Sequence, residues 1–157
     1  MGVVDDRLAE IGLVVPEVVP PVAAYVPAVL DGNHVYTSGQ LPMVGGVMAA
    51  IGKVGVGEGL VDPQVAQQLA SASALNAIAA IKSVIGDLDR VEQVVKVVVF
   101  VASDPSFTGQ PMVANGASEL LGAAFGDAGV HARSAVGVSG LPLDAAVEVE
   151  VVVRVAV

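Results

Sequence analysis

The side chains able to do chemistry are few in this sequence, and their types narrow what that chemistry can be. Against 16 acidic residues there are seven Lys and Arg, two His and no Cys. Arg133, between Ala132 and Ser134, stands where a loop gives way to a strand. Its planar fork of N–H donors suits bidentate capture of a carboxylate. Glu148 lies further on in an alternating strand and is the matching candidate for steering a water molecule. Both residues also have ordinary readings, Arg133 as a surface cation paired with one of many carboxylates and Glu148 as a solvated outward residue. Three more polar groups belong on the same list. Ser38, in Thr37-Ser38-Gly39-Gln40-Leu41-Pro42, offers a hydroxyl at a strand end, where Gly39 allows close backbone approach. Tyr25 offers a phenol to a pocket, and Asn115 a cap or a bridge between loops; either is equally suited to a structural role.

Other chemistries are excluded or unsupported. A chain without cysteine has no thiolate metal site, no disulfide and no Cys nucleophile. His34 and His131 are far apart and lack a ligand pair at helical spacing, so no metal is expected. Gly55-Val56-Gly57 lacks the strand-turn-helix context of a dinucleotide site, and no phosphate-loop Gly-Lys-Ser/Thr occurs. A net charge of −9 with no basic cluster argues against a nucleic-acid partner. The N-terminal MGVVDDRLAEIG is too acidic and too weakly apolar for a secretory signal, and the valine-rich runs stop short of a membrane span. The expectation is a cytoplasmic protein with no membrane partner.

The elements that must position these groups follow from periodicity. With 54% hydrophobic but only 3% aromatic residues, the core has to be built from Val, Ala, Leu and Ile, which favours valine-rich sheet packed on alanine-rich helix. The 157 residues suggest a single domain over 1–157, with a short helical extension at about 1–20 that Gly12 ends. VAAYVPAVL and HVYTSGQ read as a hairpin around Asp31-Gly32-Asn33. Met43 to Gly59 reads as a long loop or a pair of weak strands. Asp62 as N-cap, Pro63 at the first helical position and Gly86 as a stop bound a long helix. RVEQVVKVVVFVAS is a strand expected to place Val91, Gln93, Val95, Val97, Val99 and Val101 on one face. MVANGASELLGAAFG is a second helix, at a cost of roughly 1 kcal/mol for Gly116 relative to Ala. SAVGVSG is a short strand, LPLD a turn, and AAVEVEVVVRVAV a strand with valine at every odd position from Val147 to Val155. Val152 among Glu148, Glu150 and Arg154 implies that the second face is also partly covered, and the apolar composition implies an oligomer.

VYTSGQLP, KVVVFVAS and above all ARSAVGVSGLPLDAAVEVEVVV resemble the RidA/YjgF family of enamine and imine deaminases, from about Tyr25 to Val155, in its longer, less characterised branch. The resemblance implies an α+β, chorismate-mutase-like fold, a mixed sheet with two helices on one face, assembled as a homotrimer with clefts between subunits. It implies hydrolysis of reactive 2-imino and 2-enamino acids to 2-keto acids and ammonia, without a cofactor. It assigns Arg133 to the substrate carboxylate and Glu148 to the attacking water. Tyr25, Ser38 and Asn115 match the pocket lining, and Ala135 stands where many members have Cys, leaving its backbone groups for substrate contact. Ala23-Ala24-Tyr25 replaces the usual Gly-Pro-Tyr, and the Met43 to Gly59 loop is longer than in compact members. These departures keep open a module that binds or senses a small carboxylate without turning it over. An endoribonuclease, the third possibility, fits poorly with the acidic charge.

Overall fold

The computed structural model describes residues 2–21 and 23–157. A mixed five-stranded sheet runs in the order β1-β2-β7-β5-β6, where β1 is Ala28–Asp31, β2 His34–Thr37, β5 Val91–Ala102, β6 Ala132–Val138 and β7 Val147–Val155. Only the β5–β6 pair is parallel. A separate two-stranded piece, β3 (Met43–Val44) and β4 (Val47–Met48), is joined through Gly45-Gly46, so the stretch from Met43 to Gly59 is a pair of weak strands at its start and loop thereafter, with isolated bridges at Ile51 and Val54. Among the described residues three α-helices, α1 (Val3–Glu10), α2 (Pro63–Ile85) and α3 (Gln110–Phe125), complete the α+β fold.

The long helix has the caps its sequence demands. Asp62 accepts a 2.8 Å hydrogen bond from the Gln64 N–H, Pro63 opens the first turn, and Gly86 ends it at φ 76°. By length and composition α2 could cross a membrane, but its Ala66, Ala70, Ala74, Ala77, Ile78 and Ile81 are buried in the core. That core joins them to Val147, Val149, Val151, Val153 and Val155 of β7 and to Val94, Val97, Val99 and Val101 of β5. Gly116 has a packing purpose: a Cβ there would come within 1.8 Å of the Gln67 carbonyl, so its absence lets α3 lie against α2.

Two expectations are corrected. The strand expected over VAAYVPAVL is confined to Ala28–Asp31, because Pro27 supplies no N–H and the chain bends before it; Val22, with which that strand would open, lies outside the described residues. In β5, register shifts between Val91/Gln93 and Val94/Lys96 break the strict alternation. The irregularity rotates the strand so that Val94, rather than Val95, is buried. The N-terminal helix forms as read from the sequence and docks on the rest of the domain: Val4 and Leu8 are buried, Lys82 of α2 pairs with Asp5 at 2.8 Å, and the Asp89 carboxylate accepts from the N–H groups of Val3 and Val4 at 2.8 and 2.9 Å. Those two backbone donors hold the Asp89 carboxyl below the usual carboxylate range.

Candidate functional site

Arg133 lies on the edge strand β6, where register pairs it with Val97. Val97 is buried beneath the helices, so Arg133 turns to the same side and meets α3. Its Nη1 donates to Asn115 Oδ1 at 2.8 Å and to Ser118 Oγ at 3.2 Å, and its Nη2 donates to the Pro111 carbonyl at 3.3 Å. Pro111, Asn115 and Ser118 are spaced i, i+4, i+7 and so form one stripe of the helix. Every one of these partners is neutral. Among the described residues the ion pairs are Lys82–Asp5 and Arg154–Glu92, and Arg133 belongs to neither. In a chain with more than twice as many acids as bases, this half-buried arginine is held only by neutral acceptors among the described residues.

Ser118 and His131 are the members that sequence reasoning missed. His131 Nε2 lies 2.9 Å from Ser118 Oγ, and its Nδ1 lies 2.6 Å from the Gly129 carbonyl. Two signals for them were in the sequence. Ser118 follows Asn115 by three residues on a helix, and His131 shares the parity of Arg133 on an extended segment.

Glu148 occupies the other face of the sheet. It pairs with Phe100, which pairs with Val136, and its neighbours Val147 and Val149 take the buried positions. Arg133 and Glu148 therefore do not meet within one chain; the sheet separates them, because the two side chains have opposite parity relative to the core. Glu148 lies against Gly39, where a Cβ would fall 1.9 Å from its Oε1, so the expectation that Gly39 permits close approach is met. Burial raises the Glu148 carboxyl above its ordinary range, with a further push from the like charge of Glu150.

Tyr25 and Ser38 lie on the Glu148 side. Tyr25 is exposed, and with Gly39, Gln40, Leu41, Met43 and Leu143 it lines a cavity of about 410 Å³. Ser38 donates from Oγ to the Val26 carbonyl at 2.6 Å, and its N–H donates to Pro27 at 2.8 Å, which ties down the strap carrying Tyr25. Asn76 of α2, buried, anchors the far wall by donating to the carbonyls of Leu41 and Met43 at 3.0 and 2.9 Å. Ala135, half-buried on β6, pairs with Val99 and packs on the core edge beside Arg133. The candidates thus form two groups. One holds Arg133, Asn115 and Ala135, and the other holds Glu148, Tyr25 and Ser38.

Residues 5–155 match the family described as "YjgF/chorismate mutase-like, putative endoribonuclease". The chain belongs to this YjgF/RidA family. Protein TCP17 of Trypanosoma cruzi is 45% identical over 98% of this chain and 94% of its own length. The crystal structure of Atu1372 from Agrobacterium tumefaciens, a protein of unknown function, is 42% identical and covers 99% of this chain and 93% of that one, with a TM-score of 0.89. That of RidA from the Antarctic bacterium Psychrobacter sp. PAMC 21119 is 28% identical, covers 88% and 94% of the two chains, and has a TM-score of 0.59. The YjgF/RidA membership accounts for the mixed sheet, and the chorismate-mutase-like architecture expected from the sequence is the family's own.

Proposed function

We propose that the protein hydrolyses 2-imino acids, and the 2-enamino acids that tautomerise to them, to 2-keto acids and ammonia, at sites completed between copies of the chain. The observation that carries this reading is Arg133, a cation oriented by Asn115, Ser118 and Pro111 with no carboxylate partner among the described residues. Its guanidinium takes the substrate carboxylate and fixes the C=N carbon beside it. Water adds to the carbon of the protonated imine while Glu148 of a second copy accepts its proton; the same carboxyl then protonates the amino nitrogen of the carbinolamine, and as the C–N bond breaks Glu148 takes back the hydroxyl proton, so that C=O forms and the keto acid leaves with ammonia, which carries that proton away as ammonium. An imine is already electrophilic, so orientation and one proton-transfer group suffice, and a carboxyl raised by burial suits that exchange.

A homotrimer is part of the proposal. The face of the sheet away from the helices carries Val29, Tyr36, Val98, Phe100, Val136 and Val152, of which Val29, Tyr36 and Val136 are exposed in the single chain. Covering that apolar face with neighbouring copies favours assembly and brings the two groups within reach of each other. The reading includes a cytoplasmic site of action and no cofactor. A carboxylate-binding protein without turnover is the second reading, favoured by the separation of Arg133 from Glu148 in one chain. The family description's endoribonuclease activity is opposed here by the −9 charge and the lack of a basic cluster.

The test generates imines in situ with an amino-acid oxidase and follows keto-acid release, together with calorimetry of 2-keto-acid binding and light scattering for mass. Accelerated release by wild type and its loss in Arg133→Ala support deamination. Binding without acceleration supports the second reading, and neither binding nor turnover overturns both.

A further inference from the structure

We infer that His131 is a positioning residue that sets Arg133 through the hydroxyl of Ser118, so that the carboxylate grip depends on an imidazole two residues upstream in the chain. The inference rests on the anion-binding role proposed for Arg133 and adds the means by which that arginine is aimed.

Donor and acceptor chemistry fixes the direction of the relay. The Gly129 carbonyl can only accept, so the 2.6 Å contact to His131 Nδ1 requires the proton on Nδ1. In the neutral ring this leaves Nε2 as an acceptor. The 2.9 Å contact to Ser118 Oγ is then a hydrogen bond donated by the serine. With its proton committed to His131, the Ser118 oxygen presents a lone pair toward Arg133, which donates from Nη1 at 3.2 Å. The same Nη1 donates to Asn115 Oδ1 and Nη2 donates to Pro111. Nε–H and a second Nη2–H have no acceptor among the described residues, which leaves the guanidinium two donors for a carboxylate.

The far end of the relay is itself held rigid. Gly129 sits so close to α3 that a Cβ would lie 2.4 Å from the Leu121 carbonyl, so this position has to be glycine. The Gln93 amide donates to the carbonyls of Ala128 and Val130 on either side of it. The carbonyl that selects the imidazole tautomer is therefore fixed by β5 and α3 together. A histidine with only a packing role has no need of such an arrangement, and a relay that orients an arginine depends on it.

The experiment has two arms. In wild type, imidazole 15N NMR reads the tautomer of His131 whether or not the protein turns over an imine. The Nδ1-protonated form is expected, with a shift of Nε2 in Ser118→Ala; the Nε2-protonated form, or no response to Ser118→Ala, overturns the relay. In the second arm, His131→Leu is expected to raise KM for the imine and Kd for a 2-keto acid by roughly 5- to 10-fold with kcat little changed. His131→Gln, which restores an acceptor, should recover most of that loss, and His131→Leu with Ser118→Ala should be no worse than either alone. A fall in Tm with unchanged KM, or multiplicative effects of the two substitutions, assigns His131 to packing and overturns the inference. Wild type that binds no keto acid and hydrolyses no imine overturns the proposed function instead, and the tautomer arm still judges the relay.

Discussion

The two groups of candidate residues solve opposite electrostatic problems. At β6 and α3 a positive charge is held by neutral oxygens, with its direction set by four hydrogen-bonding neighbours: Asn115, Ser118, Pro111 and, through Ser118, His131. At β7 a negative charge is half-buried beside a second one, with Gly39 making room for it. The arginine side is held by three hydrogen bonds to neutral acceptors, with two guanidinium N–H donors left over among the described residues. Glu148 makes no side-chain hydrogen bond or ion pair among the described residues, and burial raises its pKa. Two charges without ion-pair partners among the described residues thus stand on opposite faces of one sheet, and under the proposed function the difference assigns the grip to Arg133 and the proton transfer to Glu148.

The sharpest way to break that division is at Glu148. Glu148→Gln should lower kcat for imine hydrolysis by roughly 10²- to 10⁴-fold while leaving keto-acid affinity nearly intact, as measured by steady-state kinetics beside calorimetry. The same substitution should stabilise the fold at neutral pH. Because the folded-state pKa is raised, Glu148 weakens the native state as pH climbs from the unfolded value through the folded one, and the carboxamide has no such dependence. Thermal melts of variant and wild type should therefore converge at acid pH and separate above it.

Arg133→Ala comes next, with an expected loss of roughly 10- to 100-fold in keto-acid affinity. It also sharpens the comparison through mixing. If grip and proton transfer come from different copies, refolding Arg133→Ala and Glu148→Gln chains together should restore activity at roughly a quarter of sites in a random equal mixture. No recovery would place both groups of each working site in one chain.

Smaller effects concern the frame beneath the arginine half. Gly116→Ala puts a methyl within 1.8 Å of the Gln67 carbonyl and should cost about 1–3 kcal/mol by forcing α3 away from α2, read as a lower Tm and a raised KM, since α3 carries Asn115 and Ser118. Asp89→Asn should cost least, a fall in Tm of no more than roughly 2–4 °C. Its lowered pKa means that the stabilisation is present above the unfolded value and is lost as pH falls through the folded one, so variant and wild type should converge in acid.

Much of this frame was legible in the sequence. The caps at Asp62 and Gly86 and the odd-numbered valines of β7 are local signals, and local geometry obeyed them. The hairpin at Gly32-Asn33 follows from glycine and asparagine chemistry in the same way, whereas between Met43 and Gly59 the sequence left loop and weak strands as alternatives. Arg133, Asn115, Ala135, Glu148, Tyr25 and Ser38 were all named from the sequence, but their grouping was not. Periodicity gives the parity of a strand without saying which parity faces the helices, and the register shifts in β5 reset it part-way along.

The sequence by itself determined the elements, the valine and alanine core, the family and the scarcity of cations that makes Arg133 worth following. Those depend on residue types and short spacings. Only the tertiary structure decided that β6 is an edge strand, that Arg133 and Glu148 lie on opposite faces, that α1 docks through Asp89 and Lys82, and that His131 reaches Arg133 through Ser118. Each of these needs strand order or the meeting of segments distant in the chain, and such contacts are fixed by packing the whole core.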